Sequence, residues 1–172
     1  MKHNNAKILA LLLFPLFACI AESTKEDVAG KIIEFGLIES ITEEPIVKTP
    51  ETTSGYTRNP LKVHFSKKTR QVPATLGIRF GFRYLITGLP ENEQVTFLKK
   101  VQHPPITKPD GTVTNGFEFE EKYTTVNGVV ASMTGYGFDH DYELADGDWK
   151  IEFWYKDKKL FSETFTVVHP QK

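Results

Sequence analysis

From Gly77 to Ile86 the chain sets Ile78, Phe80, Phe82, Tyr84 and Ile86 at every second position, with Arg79, Gly81, Arg83 and Leu85 between them. Successive side chains of a strand leave on opposite faces, so this spacing builds one apolar face and one mixed face. A helix would scatter the same five side chains around its circumference. Gly88-Leu89-Pro90-Glu91-Asn92 then reads as a turn, because Gly and Asn tolerate positive φ and Pro pre-sets its own. The period recurs downstream. Val95, Phe97, Lys99 and Val101 alternate, and Pro104-Pro105 is expected to stop that strand. After a turn at Pro109-Asp110-Gly111, Phe117 and Phe119 alternate with Glu118 and Glu120, and Asn127-Gly128 is a hairpin-type turn signal. Trp149, Ile151, Phe153 and Tyr155 share a face opposite Lys150, Glu152 and Lys156. A turn at Asp157-Lys158 returns the chain through Phe161, Glu163, Phe165 and Val167. Upstream, Lys31 to Glu39 reads as a strand with Ile33, Phe35 and Leu37 on one face.

No segment keeps a helical stripe for three turns. Many short alternating strands separated by turn signals predict an all-β chain, a two-sheet antiparallel sandwich. Thirteen Phe, six Tyr and two Trp supply the bulk for its core. Residues 42–70 are rich in Thr, Pro, Lys and Glu and read as a long polar loop, since too little chain precedes them to form a second core. Gly77 and Gly81 lie on the mixed face of their strand, where a missing side chain admits a crossing backbone, a bulge or a ligand.

The N-terminus carries Lys2 and Lys7, an almost unbroken apolar run from Ile8 to Phe17, and small residues at Ala18 and Ala21 before the chain turns polar. That is the layout of a signal peptide, residues 1–21, and the run is shorter than the roughly 20 residues a spanning helix needs. Two processing routes compete. Cleavage after Ala21 removes Cys19. Alternatively, Leu16-Phe17-Ala18-Cys19 is read as a lipoprotein box, which makes Cys19 the lipidated first residue. By either route the chain, whose only cysteine is Cys19, keeps no free thiol and no disulfide framework. The expected address is outside the cytoplasm, periplasmic or extracellular, with a membrane link only through a lipid at Cys19. Residues 22–172 are expected to form a single sandwich domain of about 150 residues, long enough to bury a core without staples. The formal net charge of −1 gives no electrostatic reason to expect nucleic acid as a partner.

Several blocks of the sequence resemble the bacterial family called domain of unknown function 3859. They are Pro50-Glu51-Thr52-Thr53-Ser54-Gly55-Tyr56, Val72-Pro73-Ala74-Thr75-Leu76-Gly77, Phe80-Gly81-Phe82, His103-Pro104-Pro105, Gly147-Asp148-Trp149 and Phe165-Thr166-Val167. The resemblance runs from about Gly30 to the C-terminus. It implies an exported, immunoglobulin-like sandwich and carries no established activity.

The densest polar cluster is Phe138-Asp139-His140-Asp141-Tyr142-Glu143. On a strand, Asp139, Asp141 and Glu143 would line one face, and carboxylates so placed are candidates for a calcium ion or for acid–base work on a glycoside. They lack the glycine turn and spacing of an EF-hand loop, and three neighbours on an extended strand diverge. The bland reading is a solvated face. His64, His103, His140 and His169 show no metal-ligand spacing, so a zinc site would need long-range convergence. His103 is set before two prolines in what reads as a rigid loop, where the bland role is a bond to nearby backbone. Trp149, after Gly147, reads as a core plug. Trp154 falls on the Lys150/Glu152/Lys156 face. It packs under the 42–70 segment or offers an aromatic platform to a sugar or peptide.

No P-loop, dinucleotide fingerprint or nucleophile elbow is present, and no cofactor is implied. The expectation is a non-catalytic binding or structural module of the cell envelope, with an unidentified protein or envelope component as partner. The alternative is an envelope hydrolase using His103, His140 and the Asp139/Asp141/Glu143 carboxylates.

Overall fold

The computed structural model describes residues 27–40, 45–58 and 63–170. The N-terminal apolar segment, Cys19 and the expected cleavage position lie outside them. Among the described residues no helix is long and apolar enough to cross a membrane.

The strands are β1 (Ala29–Ser40), β2 (Ile46–Lys48), β3 (Tyr56–Arg58), β4 (Val63–Lys67), β5 (Gln71–Pro73), β6 (Arg79–Thr87), β7 (Gln94–Thr107), β8 (Val113–Thr124), β9 (Val130–Gly137), β10 (Gly147–Tyr155) and β11 (Lys158–Val168). One sheet runs β4-β1-β6-β9, the other β5-β11-β10-β7-β8, and β2 and β3 form a separate hairpin. Neighbours are antiparallel except β5 and β11, which run parallel. The fold is the all-β sandwich that the alternation predicts.

The core is where the apolar faces meet. Phe80, Phe82, Tyr84 and Ile86 of β6 are fully buried, as are Phe97 and Val101 of β7, Trp149, Ile151 and Phe153 of β10, and Phe165 and Val167 of β11. Phe80 lies 5.0 Å from Phe165 and 6.1 Å from Trp149 between ring centroids, so aromatic side chains from both sheets interlock across the gap. Each such side chain contributes on the order of 1.5–3 kcal/mol by leaving water. The Asn127-Gly128 turn, with φ of 51° and 72°, has the two positive values of a type I′ turn, closed by the Val126–Val129 bridge.

Gly81 explains its own lack of a side chain. It stands in register with Gly36 of β1 and Gly135 of β9, forming a row of glycines across three strands. A Cβ at Gly81 would lie 2.1 Å from the Thr134 carbonyl oxygen and 2.6 Å from the Gly135 Cα. The bare position thus admits the backbone of its own paired neighbour, β9, rather than a crossing chain.

Four local expectations change. Pro104 and Pro105 do not end β7. The strand runs on to Thr107, and its pairing with β8 jumps between Gln102 and Ile106, so the prolines occupy a bulge that needs no ladder N–H. In β1 the register shifts between Ile32 and Glu34. That bulge turns Ile33 out to 54 % exposure, while Ile32, Phe35 and Leu37 pack on the core. The last hairpin turns at Lys156-Asp157, one residue earlier than expected, with Tyr155 opposite Lys158. Residues 42–70 are not one long polar loop. They contain β2, β3 and β4, and β4 pairs with β1 at the sheet edge. Short strands of Thr, Lys and Val have too few apolar positions to show a period, yet they still satisfy their backbone groups by pairing.

Candidate functional site

The Asp139–Glu143 segment is not a strand. Asp141–Glu143 form one turn of 3-10 helix between β9 and β10, so the three carboxylates point apart. Asp139 turns toward the β2–β3 hairpin. Its Oδ2 accepts hydrogen bonds from the Tyr56 hydroxyl at 3.0 Å and from Arg58 Nε at 3.2 Å, and its Oδ1 lies 3.5 Å from an Arg79 guanidinium nitrogen. Desolvation and the hydrogen bond to Asp139 both push the Tyr56 hydroxyl pKa up. Glu143 turns the opposite way and is fully buried. Its Oε2 accepts from the backbone N–H groups of Asp139 and His140, each at 2.9 Å, and its Oε1 accepts from the Tyr136 hydroxyl. Burial, then the Glu143 charge, raises the Tyr136 pKa, so the phenol stays protonated and donates. Asp141 is exposed. Three carboxylates that diverge in this way do not make a cage, and among the described residues no group of three His, Cys, Asp or Glu side chains could hold a metal ion.

His103 is 5 % exposed and lies in the β7 bulge. Its Nδ1 sits 2.7 Å from the Pro104 carbonyl oxygen, which can only accept, so Nδ1 carries the proton. Nε2 is then left to accept from the Thr53 hydroxyl at 2.9 Å. Burial lowers the His103 pKa, which keeps the ring neutral and preserves this arrangement. Thr53 also meets the Tyr136 phenol. Thus Thr53, His103 with the Pro104 carbonyl, Tyr136 and Glu143, distant in sequence, converge on one buried polar chain beside the core. His140 is elsewhere: it is exposed and stacks on Tyr142, with ring centroids 5.1 Å apart. His64 pairs with Glu39, and His169 with Asp146, both at the surface.

Trp149 is fully buried, its Nε1 donating to the Ala145 carbonyl at 3.1 Å. The described residues of the 42–70 segment do not supply the expected cover for Trp154: the β2–β3 hairpin sits at Asp139 and β4 pairs with β1. Trp154 lies on the outer face of the five-stranded sheet. The ammonium groups of Lys100 and Lys159 stand 5.6 and 5.5 Å from its ring, and its Nε1 donates to Glu152 at 3.0 Å. Burial alone would raise the Glu152 carboxyl, but hydrogen bonds from Lys150 and Trp154 outweigh it and hold the pKa below the usual carboxylate value. The alternation of Trp154 with charges was a correct sign that this face is polar.

The concave feature is elsewhere. A cleft of about 510 Å³ opens between the two sheets on the side where β8 ends one and β9 ends the other, with the β2–β3 hairpin along its rim. Of the sequence candidates it holds Asp139 alone. His103 borders a separate groove along β7 and β8, and His140, Asp141, Glu143 and Trp154 line neither. The cleft instead gathers residues the sequence reading did not single out. Lys99 points inward with Phe97 and Val101, its side chain 8 % exposed, and its Nζ lies 3.7 Å from Glu121 Oε1. Desolvation lowers the Lys99 pKa against the opposing pull of Glu121. Glu121 Oε2 accepts from the Tyr123 hydroxyl at 2.6 Å, and Tyr123 in turn accepts from Tyr84 at 3.0 Å. Thr134 of β9 is 5 % exposed, and its hydroxyl has no hydrogen-bond partner. A lysine in the apolar set of an alternating strand was the available signal for this site. Glu121 and Thr134 joined it across strands that sequence spacing does not link.

Comparison with known proteins agrees with the architecture. The family described as Domain of unknown function (DUF3859) matches residues 27–167. An immunoglobulin-like protein from Pseudomonas aeruginosa, known from its crystal structure, superposes with a TM-score of 0.57 at 25 % identity, covering 84 % of this chain and 99 % of that one. No curated protein matches the chain.

Proposed function

The chain belongs to the DUF3859 family, and from that premise we propose that it is an exported, non-catalytic binding module of the cell envelope. The observation that carries this reading is the division of its polar groups. Of the residues expected to do chemistry, His103, Asp139 and Glu143 are engaged in holding loops to the sandwich, while His140 and Asp141 are exposed and line neither concave feature. The cleft is lined instead by Thr134, whose buried hydroxyl has no partner, and by Lys99, whose ammonium is 3.7 Å from Glu121 and 5.4 Å from the centre of the Phe119 ring. Buried polar groups are nearly always satisfied, and leaving one unmade costs on the order of 1–3 kcal/mol. A binding site is where such a cost returns as affinity. Export rests on the N-terminal segment, with Cys19 removed or lipidated.

The test has two arms. Intact-mass measurement of the chain recovered from the cell envelope or medium should lack residues 1–18, whereas a mass retaining them ends the export reading. Retention of the purified full chain on isolated envelope should fall in Lys122→Glu, which reverses an exposed charge lining the cleft. Equal retention of both proteins, or of neither, removes the case for a binding cleft.

A further inference from the structure

The cleft's own geometry restricts what fits it. Six consecutive residues of β9, Ser132 to Gly137, line it. A strand face presents alternate residues, so a consecutive run means that the cleft wraps around the strand's backbone edge. Among the described residues β9 pairs with β6 on one side only, and its other edge faces this opening. Unpaired N–H and C=O groups along a strand edge are a template for one more strand.

The electrostatics add a second restriction. Lys99, Lys122, Arg58 and Arg79 line the cleft against Glu121 and Asp139, four cations to two carboxylates, in a chain whose net charge is −1. Asp139 is already taken up by Tyr56, Arg58 and Arg79. Lys99 is not matched in the same way. Its ammonium has three donors, stands 5.4 Å from the centre of the Phe119 ring, and has its carboxylate neighbour, Glu121, at 3.7 Å, beyond hydrogen-bond length. Thr134, which lines the same cleft, is nineteen-twentieths buried, and its hydroxyl is shielded from solvent and without a partner.

We propose that the cleft takes an extended peptide segment bearing a carboxylate, which adds to the free edge of β9 and sets its acid against Lys99 and Thr134. This rests on the reading of the chain as a binding module and names its ligand class. Strand addition supplies sequence-tolerant main-chain hydrogen bonds. The buried ammonium supplies selectivity, because a carboxylate adds a charge-assisted hydrogen bond to its longer contact with Glu121, and a neutral group adds none. The carboxylate comes either from a chain terminus or from an Asp or Glu side chain.

Three synthetic hexapeptides distinguish these cases with the full chain: Val-Thr-Val-Thr-Val-Phe with a free C-terminus, the same peptide amidated, and the amidated peptide with Glu at its fourth position. Calorimetry should show the free acid, the Glu peptide or both binding at least tenfold more tightly than the neutral amide. Hydrogen exchange of the residue 132–137 amides should slow at least tenfold in the bound state. Which acid wins identifies the carboxylate's source. Thr134→Val removes a hydroxyl that bonds nothing, so it should keep the melting temperature and lose several-fold in affinity. The double variant Lys99→Met, Glu121→Gln removes both charges together and should bind acid and amide alike. A preference for acid that survives the double variant, equal binding of all three peptides by the wild type, or self-association through β9 without peptide overturns the proposal. If no peptide binds while Lys122→Glu still loses envelope retention, the ligand class is wrong and the binding module stands.

Discussion

His103 stacks on Trp149, the two ring centroids 4.7 Å apart and the planes 29° from parallel. The contact joins the β7 bulge to the first residues of β10. It also explains why a histidine at 5 % exposure is tolerated: one face of the ring is covered by the indole, and both nitrogens are bonded. Removing the plug should be severe. Truncating a buried Trp costs about 3–5 kcal/mol, a large share of the roughly 5–15 kcal/mol that holds a domain folded. Trp149→Ala is expected to express poorly or melt far below the wild type. Trp154→Ala, on a face shared with Lys100 and Lys159, should lose much less. Denaturant melts of both variants check this, and equal losses would mean that Trp154 carries weight its surroundings do not explain.

The same histidine should make the fold acid-sensitive. Unfolded, its pKa is about 6.5, and folded it is lower because burial penalises the charge. Between those two values the unfolded chain holds the extra proton, so stability rises with pH through that window. It should fall as pH drops from about 6.5 toward the folded value, then level off. His103→Gln removes this component. A wild type and variant with parallel stability–pH curves from pH 7 to 5 would contradict it.

Gly81→Ala should be costly although it adds one methyl. The new Cβ meets Thr134 and Gly135 backbone, which cannot step aside as a side-chain tip would. Strain of this kind typically costs about 1–3 kcal/mol. Gly77→Ala offers the contrast. No atom lies within 4 Å of its Cβ position, and the cost comes from its φ of +79° alone. Thermal melts should rank Gly81→Ala as the less stable of the two.

Asp139→Asn should loosen the β2–β3 hairpin without unfolding the sandwich. Its carboxylate receives Tyr56 and Arg58, both from β3. Hydrogen bonds to a charged group contribute about 1.5–3 kcal/mol when buried, and partial exposure places this set at the lower end. Limited proteolysis should show faster cutting within residues 45–58 and an unchanged rate elsewhere.

How much of this was legible follows from the range of each interaction. The inward sets of β6, β7 and β10 were plain because a period of two repeats within one strand, whereas on β11 both alternating sets carry apolar residues and only the bulk of Phe161, Phe165 and Val167 favoured the inward one. Even Glu163 fits that pattern. It lies on the inward set of β11, 9 % exposed, and reaches Arg70 through two hydrogen bonds. The bulges at Ile33 and at Pro104 were hidden, since one extra residue changes a strand's facing without changing its composition. β2 and β3 were hidden because three-residue strands are too short for any period. Asp139, His140, Asp141 and Glu143 drew attention as a cluster, but their proximity along the chain says nothing about direction, and one turn of 3-10 helix sent them apart. The cleft was the least legible part, being assembled from β7, β8, β9 and the hairpin.

The parallel pairing of β5 with β11 sets an order of events for the nascent chain. Thr166 lies opposite Gln71, and Val168 opposite Pro73, so the strand that joins β5 to β10 is made long after β5 itself. β1 likewise waits for β6, with Ala29 opposite Thr87. Pairings this remote in sequence give a high contact order and folding in roughly milliseconds to seconds. A chain stopped before Lys158 has no strand to set between β5 and β10. The second sheet is therefore complete only once Lys158–Val168 is in place, and loss of this eleven-residue strand is a lesion of assembly, felt across the whole sheet.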